Sequence, residues 1–169
     1  TPNTDAALVY TGSSNGIVFR TTDGGLNWTQ VDVGGSPLYV ADILVDPNDS
    51  NIVYQARAGF SGAAGLHIRK STDGGATWAA AGTGIPDIPV NALSWDPSNP
   101  ARLWAGTDIG AYFTEDGGAT WTPYNNGLPT TAIFDMDWNE NTGKLVACTH
   151  GRGAFVLDFF VFGDGFETG

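Results

Sequence analysis

Apolar positions along the chain come in short bursts with no helical spacing. Between Val90 and Tyr124 the bursts are Val90–Trp95, Arg102–Thr107, Gly110–Thr114 and Thr120–Tyr124, each apolar or alternating, with Gly, Pro, Asn and Asp gathered between them. Runs of that length and pattern predict strands joined by tight turns. Four in succession predict an antiparallel meander.

The meander is written more than once. "RKSTDGGATW" from Arg69 returns as "YFTEDGGATW" from Tyr112 and as "FRTTDGGLNW" from Phe19, so that Asp23, Asp73 and Asp116 lie 50 and 43 residues apart and Trp28, Trp78 and Trp121 keep their offsets. A second pattern fills the space between: "ADILVDPNDSNIVYQAR" matches "NALSWDPSNPARLWAGT" and, more loosely, "FDMDWNENTGKLVACTH". Four strands repeated at 40 to 50 residues predict the blades of a β-propeller, an all-β architecture in which each four-stranded antiparallel sheet packs face to face on the next. With strands named A to D from the channel outward, the blades fall near residues 6–33, 38–82, 88–125 and 131–158, followed by a C-terminal tail over 159–169. The first blade has only B, C and D and the last only A, B and C, about three and a half blades in all.

The repeated phrase reads as a hairpin clamp where strand C hands over to strand D. Asp23, Asp73 and Asp116 are placed to accept backbone N–H groups of the turn. Glycines such as Gly25, Gly75 and Gly118 supply positive φ. The Thr or Asn beside each tryptophan offers another turn bond, and the three indoles are expected to bury under the hairpin.

This pattern, S/T-x-D-G-G-x-T-W at a blade period, resembles the Asp-box (BNR) repeat of sialidase-like, sortilin-like and xyloglucanase-like propellers. Further likeness lies in "VDPNDSN", "WDPSNP", "NNGLP" and "THGRGAFVLD", the last similar to the closing blade of many bacterial proteins. The resemblance spans residues 6–158 and implies the C-terminal portion of a larger propeller from a secreted bacterial protein, in the medium, the periplasm or at the cell surface. The tail "FVFGDGFETG" is similar to C-terminal tails of secreted proteins of some proteobacteria, and its Phe159–Phe162 run suits a further edge strand.

Composition narrows the function. The formal net charge is -11 with only two lysines, Lys70 and Lys144, so no basic stripe exists for nucleic acid or an anionic lipid surface. No apolar run reaches the length of a spanning helix, and "TPNTDAALVY" lacks a signal-peptide pattern, as expected of a mature or trimmed product. The single Cys148 cannot form an intramolecular disulfide. It aligns with Gly106 and Gly12 on strand B, which predicts a small, inert core position.

Antiparallel order sorts the turns: A–B and C–D turns share one rim, B–C turns and D–A connections the other. The resemblance implies that ligands are handled on the rim away from the Asp boxes. That rim collects Ser13, Ser14 and Asn15, the insertion from Arg57 through Phe60 to His67, Asp108, and His150 with Arg152; the D–A connections add Tyr39, Asp87 and Asn126. Arg57, Phe60, His67, Asp108, His150 and Arg152 are the binding candidates, with a solvated loop as the alternative for the insertion. His150 and Arg152 suit either an anionic ligand or local hydrogen bonds within a glycine-rich hairpin. Asp42 and Asp135 share one register in strand A and are the catalytic candidates of a glycosidase reading; channel lining is the preferred explanation of the pair. The arginine trio of a sialidase and a xyloglucanase-type aspartate pair are not found by motif. "DPNDSN" at Asp46 begins like a calcium loop but lacks the glycine at the sixth place and has Arg57 at the twelfth, so no metal and no cofactor is expected.

Three and a half blades leave two apolar faces to cover, by the remaining half of the same precursor or by a second copy. The expected function is a non-catalytic protein- or glycan-binding or structural module. The alternative is the C-terminal half of a glycoside hydrolase.

Overall fold

The computed structural model describes residues 7–32, 38–124, 127–139 and 141–157. Among the described residues fourteen strands make four antiparallel sheets, and each sheet is consecutive in sequence. The first holds β1 (Val9–Gly12), β2 (Val18–Thr21) and β3 (Thr29–Asp32). The second holds β4 (Tyr39–Val45), β5 (Val53–Ala58), β6 (Ile68–Ser71) and β7 (Ala79–Ala80). The third runs β8 (Val90–Asp96), β9 (Asn99–Thr107), β10 (Gly110–Thr114) and β11 (Thr122–Tyr124). The fourth has β12 (Ile133–Asn139), β13 (Lys144–Thr149) and β14 (Gly153–Leu157). The architecture is a partial β-propeller. Strand B of the third blade starts at Asn99, three residues before the apolar run, because a tight A–B hairpin pairs Asn99 with Asp96. Asn126 and the tail lie outside the described residues.

Opposite residues in an antiparallel pair share a face, which assigns every side chain to one interblade space. Leu93, Ala105 and Tyr112 face the second blade and pack with Tyr54, Ala56, Ile68, Leu103 and Trp121. Ala92, Gly106 and Ala111 face the fourth, where Trp104, Ile133, Met136, Leu145 and Leu157 form a second cluster. Tyr54 meets Trp95 edge-on at 5.5 Å, and Trp104 stacks on Trp138 at 5.2 Å. The third blade is therefore apolar on both sides.

The blades approach closely at one repeated place on strand B, occupied by Gly12, Ala56, Gly106 and Cys148. A Cβ added to Gly12 would lie 2.4 Å from Val40 Cγ1, and one on Gly106 would lie 2.7 Å from Ile133 Cγ2. Glycine is needed at Gly12 and Gly106 because the next blade's strand A presses on them, while the second blade's junction takes the single Cβ of Ala56. Cys148 corrects the expectation of a core position: it is exposed. It lies on the outer face of the fourth blade, against which none of the described residues packs, so nothing restricts its size.

The three hairpins share one bonding pattern. In the second, Asp73 Oδ1 accepts Thr77 N at 2.8 Å, Oδ2 accepts Thr77 Oγ1 at 2.6 Å, and Ser71 Oγ donates to Oδ1 at 2.8 Å while accepting Gly75 N at 2.7 Å. Asp23 with Asn27 and Thr21, and Asp116 with Thr120 and Thr114, repeat it. Gly74 and Gly75 sit at φ 68° and 91° at no steric cost, which turns the Gly75 N–H onto Ser71 Oγ and the Gly74 N–H onto the Asn51 carbonyl at 2.9 Å. These bonds hold all three carboxyls at about 2, below the usual 3.8; the largest cause is the Asn27 N–H for Asp23 and the Thr77 and Thr120 hydroxyls for Asp73 and Asp116.

Candidate functional site

The rim opposite the hairpins is formed by the β1–β2, β5–β6, β9–β10 and β13–β14 turns and by the starts of β4, β8 and β12. Its largest feature is the 59–67 loop. Asp87 organises it from the connection to the third blade, accepting Ser61 N at 2.8 Å, Gly62 N at 2.9 Å and Ser61 Oγ at 3.0 Å, with His67 Nε2 at 2.8 Å. The Ser61 N–H, with the His67 ring second, holds the Asp87 carboxyl at about 2. Phe60, next in the chain to the Ser61 that Asp87 holds, is 71% exposed, and Leu66 near the other end of the loop is also exposed.

Two binding candidates are drawn inward. His67 is fully buried, its Nδ1 3.3 Å from the Arg57 carbonyl. Arg57 is only 1% exposed. Its position opposite Val40 turns the guanidinium into the space between the first two blades, where Nη2 donates to Asp32 Oδ2 at 2.8 Å and to the Gly16 carbonyl at 3.3 Å, and Nε donates to Gln55 Oε1 at 3.1 Å. Gln55 and Arg69 also donate to Asp32. Burial pushes the Arg57 guanidinium down, with the Arg69 charge second.

Phe60, Asp108, His150 and Arg152 remain at the surface. Asp108 accepts Asn91 Nδ2 at 2.9 Å. His150 meets the exposed Phe134 edge-on at 5.5 Å, while Arg152 stands between two positive-φ glycines on the β13–β14 turn. The same rim carries apolar side chains that sequence reasoning did not select as binding residues: Leu66, Ile109 and Phe134, together with Tyr39 at the start of β4, all substantially exposed. Phe134 is there because strand A bulges. Register shifts at the same point of β4, β8 and β12 leave Ala41, Asn91 and Phe134 unpaired, and a bulge re-aims its side chain. An apolar residue in a turn, as at Ile109, is the signal available from sequence; the bulge gives none.

The catalytic candidates have different surroundings. Asp42 is half-buried between blades two and three, Oδ1 accepting Ile43 N and Oδ2 accepting Leu93 N, both at 2.8 Å. Burial pushes its carboxyl up; the Asp135 charge is the smallest contribution. Asp135 is exposed, opposite Cys148 on the outer face of the last blade. Asp46 spends its carboxylate on an Asx turn, accepting Asn48 N at 2.8 Å. Among the described residues no group of three or more His, Cys, Asp or Glu side chains is placed to hold a metal. A groove of about 330 Å³ opens on the hairpin rim, between Trp78 with Ala79–Ala81 and the Asp116 hairpin, with Lys70 at its base.

No family model matches the chain, and no curated protein matches it. Solved structures do. An ancestral GH74 enzyme superposes with a TM-score of 0.72 at 16% identity, over 92% of this chain and 22% of the other. The GH74 xyloglucanase of Xanthomonas campestris gives 0.69 at 19%, over 88% and 26%. An auxiliary nutrient binding protein of Bacteroides thetaiotaomicron gives 0.67 at 8%, over 88% and 34%. The likeness carries the fold, a β-propeller shared by enzymes and binding proteins. The chain spans between about a fifth and a third of the length of each of these structures.

Proposed function

We propose that the chain is an Asp-box propeller arc of a secreted protein that binds a glycan or protein on its B–C rim without turning it over. The carrying observation is the set of outward apolar faces on that rim: Phe60 and Leu66 on a loop held by Asp87, Ile109 in a turn, Tyr39 at a strand start and Phe134 at a bulge. Aromatic faces offered by a rigid scaffold suit sugar rings or an apolar protein segment. The acidity of the chain disfavours polyanions, and the nutrient-binding propeller among its structural likenesses supports an extracellular or periplasmic setting. The hairpin aspartates have their carboxylates engaged in holding turns, and Asp42 holds the Leu93 N–H, so neither set is offered to a substrate.

The test is titration of neutral polysaccharides and their oligomers against the chain, followed by calorimetry and product analysis. Binding that is weakened at least severalfold by Phe60→Ser or Tyr39→Ser, with no new reducing ends, supports the reading. Glycan cleavage that is lost on Asp42→Ala or Asp135→Ala would replace it with the glycoside hydrolase alternative, for which the GH74 likeness is the motive.

A further inference from the structure

The three hairpins fold alike but are not covered alike. Tyr10 on β1 and Arg20 opposite it on β2 both donate to the Gly74 carbonyl of the second blade. Tyr54 on β5 and Lys70 opposite it on β6 both donate to the Gly117 carbonyl of the third, at 2.7 and 3.0 Å. In return Trp78 and Trp121 donate their indole N–H groups to the Val31 and Ala81 carbonyls of the preceding blade, at 3.2 and 2.7 Å. A tyrosine and a cation are given and a tryptophan is received, at two successive junctions.

The first hairpin presents the same groups to solvent. A Cβ built on Gly24 meets nothing within 4 Å, whereas one on the equivalent Gly74 lies 2.7 Å from Arg20 and one on Gly117 lies 3.4 Å from Lys70. Trp28 is 44% exposed against 3% for Trp121, and its indole N–H turns back onto its own Gly25 carbonyl at 3.2 Å. This face carries half of a latch that the molecule completes twice elsewhere.

We infer that it receives a further four-stranded blade bearing a tyrosine on its second strand and a lysine or arginine opposite on its third, both over the Gly24 carbonyl, and taking Trp28 on an outer-strand carbonyl. A second copy of this chain does not supply that pair. The exposed face of the last blade has Val146 and Val156 at the tyrosine and cation positions, and neither side chain donates a hydrogen bond. Trp104 and Phe113 hold those positions in the third blade, where the neighbour presents Met136 and Leu157. The pair follows what the next blade offers: donors for a D-G-G hairpin, hydrocarbon otherwise. The inference rests on the reading of the chain as an arc of a larger propeller and is independent of what the rim binds.

The experiment joins a further copy of residues 38–95 ahead of Thr1 and measures hydroxyl-radical oxidation of Trp28 by peptide mass spectrometry, with Trp121 as the buried reference in the same molecule. Oxidation of Trp28 is expected to fall severalfold toward that of Trp121, and to return when the added copy alone carries Tyr54→Val and Lys70→Val. Equal oxidation with and without the added blade in a folded fusion overturns the inference, as does equal protection by both versions. Sedimentation and oxidation of the chain by itself decide the matter independently of how the fusion folds: a species with Trp28 freely oxidised supports it, and a discrete dimer that protects Trp28 overturns it. A failed rim titration leaves both readouts unchanged.

Discussion

At the junction of the first two blades, Asp32 accepts hydrogen bonds from Gln55, Arg57 and Arg69 in a space nearly closed to solvent. One junction on, the positions equivalent to Gln55 and Arg69 are Ala105 and Tyr112, packed with Leu93 and Ile68. Backbone register, the small residue on strand B and the tyrosine–cation latch are the same at both. What differs is the filling, charge in one and hydrocarbon in the other. The repeat thus fixes how blades meet at the hairpin and near the channel and leaves the space between open to any contents that satisfy themselves. The two fillings fail differently, which gives ways to probe the contrast.

The largest effect is expected where charge is stranded. Asp32→Ala leaves the Arg57 guanidinium buried without its counter-ion, and should cost about 3–5 kcal/mol in chemical denaturation. Replacing both partners, Asp32→Leu with Arg57→Met, should recover most of that loss, because the cost is that of an unpaired charge more than of a missing bond. A double variant no better than the single one would show that the ion pair itself, and not its imbalance, holds the first junction. In the apolar junction Leu103→Ala removes a fully buried side chain and should cost about 2–5 kcal/mol, with no comparable rescue available from a second substitution.

This contrast also marks what could be read from the sequence. Each hairpin makes its carboxylate bonds inside one ten-residue phrase, so the phrase announces them, and a period of 43 to 50 residues announces the blades. The Asp32 cluster joins residues 23, 25 and 37 positions apart, outside any repeated phrase. Arg57 looks like a rim residue because it borders the insertion; it is buried because β5 continues to Ala58 and places it opposite Val40. Phe134 reads as one more apolar strand position until a bulge, invisible to alternation, turns it outward. The exposure of Cys148 depends on which face has a neighbour, and no aligned position records that.

Acid should separate the junctions next. Asp23, Asp73 and Asp116 have folded values of about 2 against an ordinary 3.8, so their contribution is complete above pH about 4 and is lost as pH falls toward 2. Asp42 is shifted the opposite way by burial, so it takes up a proton earlier in the folded state, and its own contribution becomes more favourable as pH falls. Carboxyl titration by NMR should find the three hairpin groups still ionised at pH 4. A hairpin aspartate titrating at its ordinary value would mean that its turn bonds are not kept in solution.

The latch itself can be weakened without disturbing either filling. Tyr54→Phe removes the donor at 2.7 Å from the Gly117 carbonyl but leaves Lys70 on the same oxygen, so the loss should be about 1 kcal/mol. Tyr10→Phe, with Arg20 remaining on the Gly74 carbonyl, should cost the same despite the charged filling beside it. Unequal losses would show that the filling tunes the latch.

The smallest effect is expected at Trp28, and its smallness is informative. Trp78 and Trp121 each hold a carbonyl of the preceding blade, so their removal opens a junction; Trp28 holds only its own Gly25 carbonyl. Trp28→Ala should therefore shift the stability of the chain by no more than about 0.5 kcal/mol, the range of surface substitutions, when urea midpoints are compared. The same change in the fusion carrying an added blade should cost clearly more, since the indole then spans a junction as the other two do. A large loss in the chain alone would mean that Trp28 already holds a partner there, and the first blade would have to be treated as a covered face like the second and third.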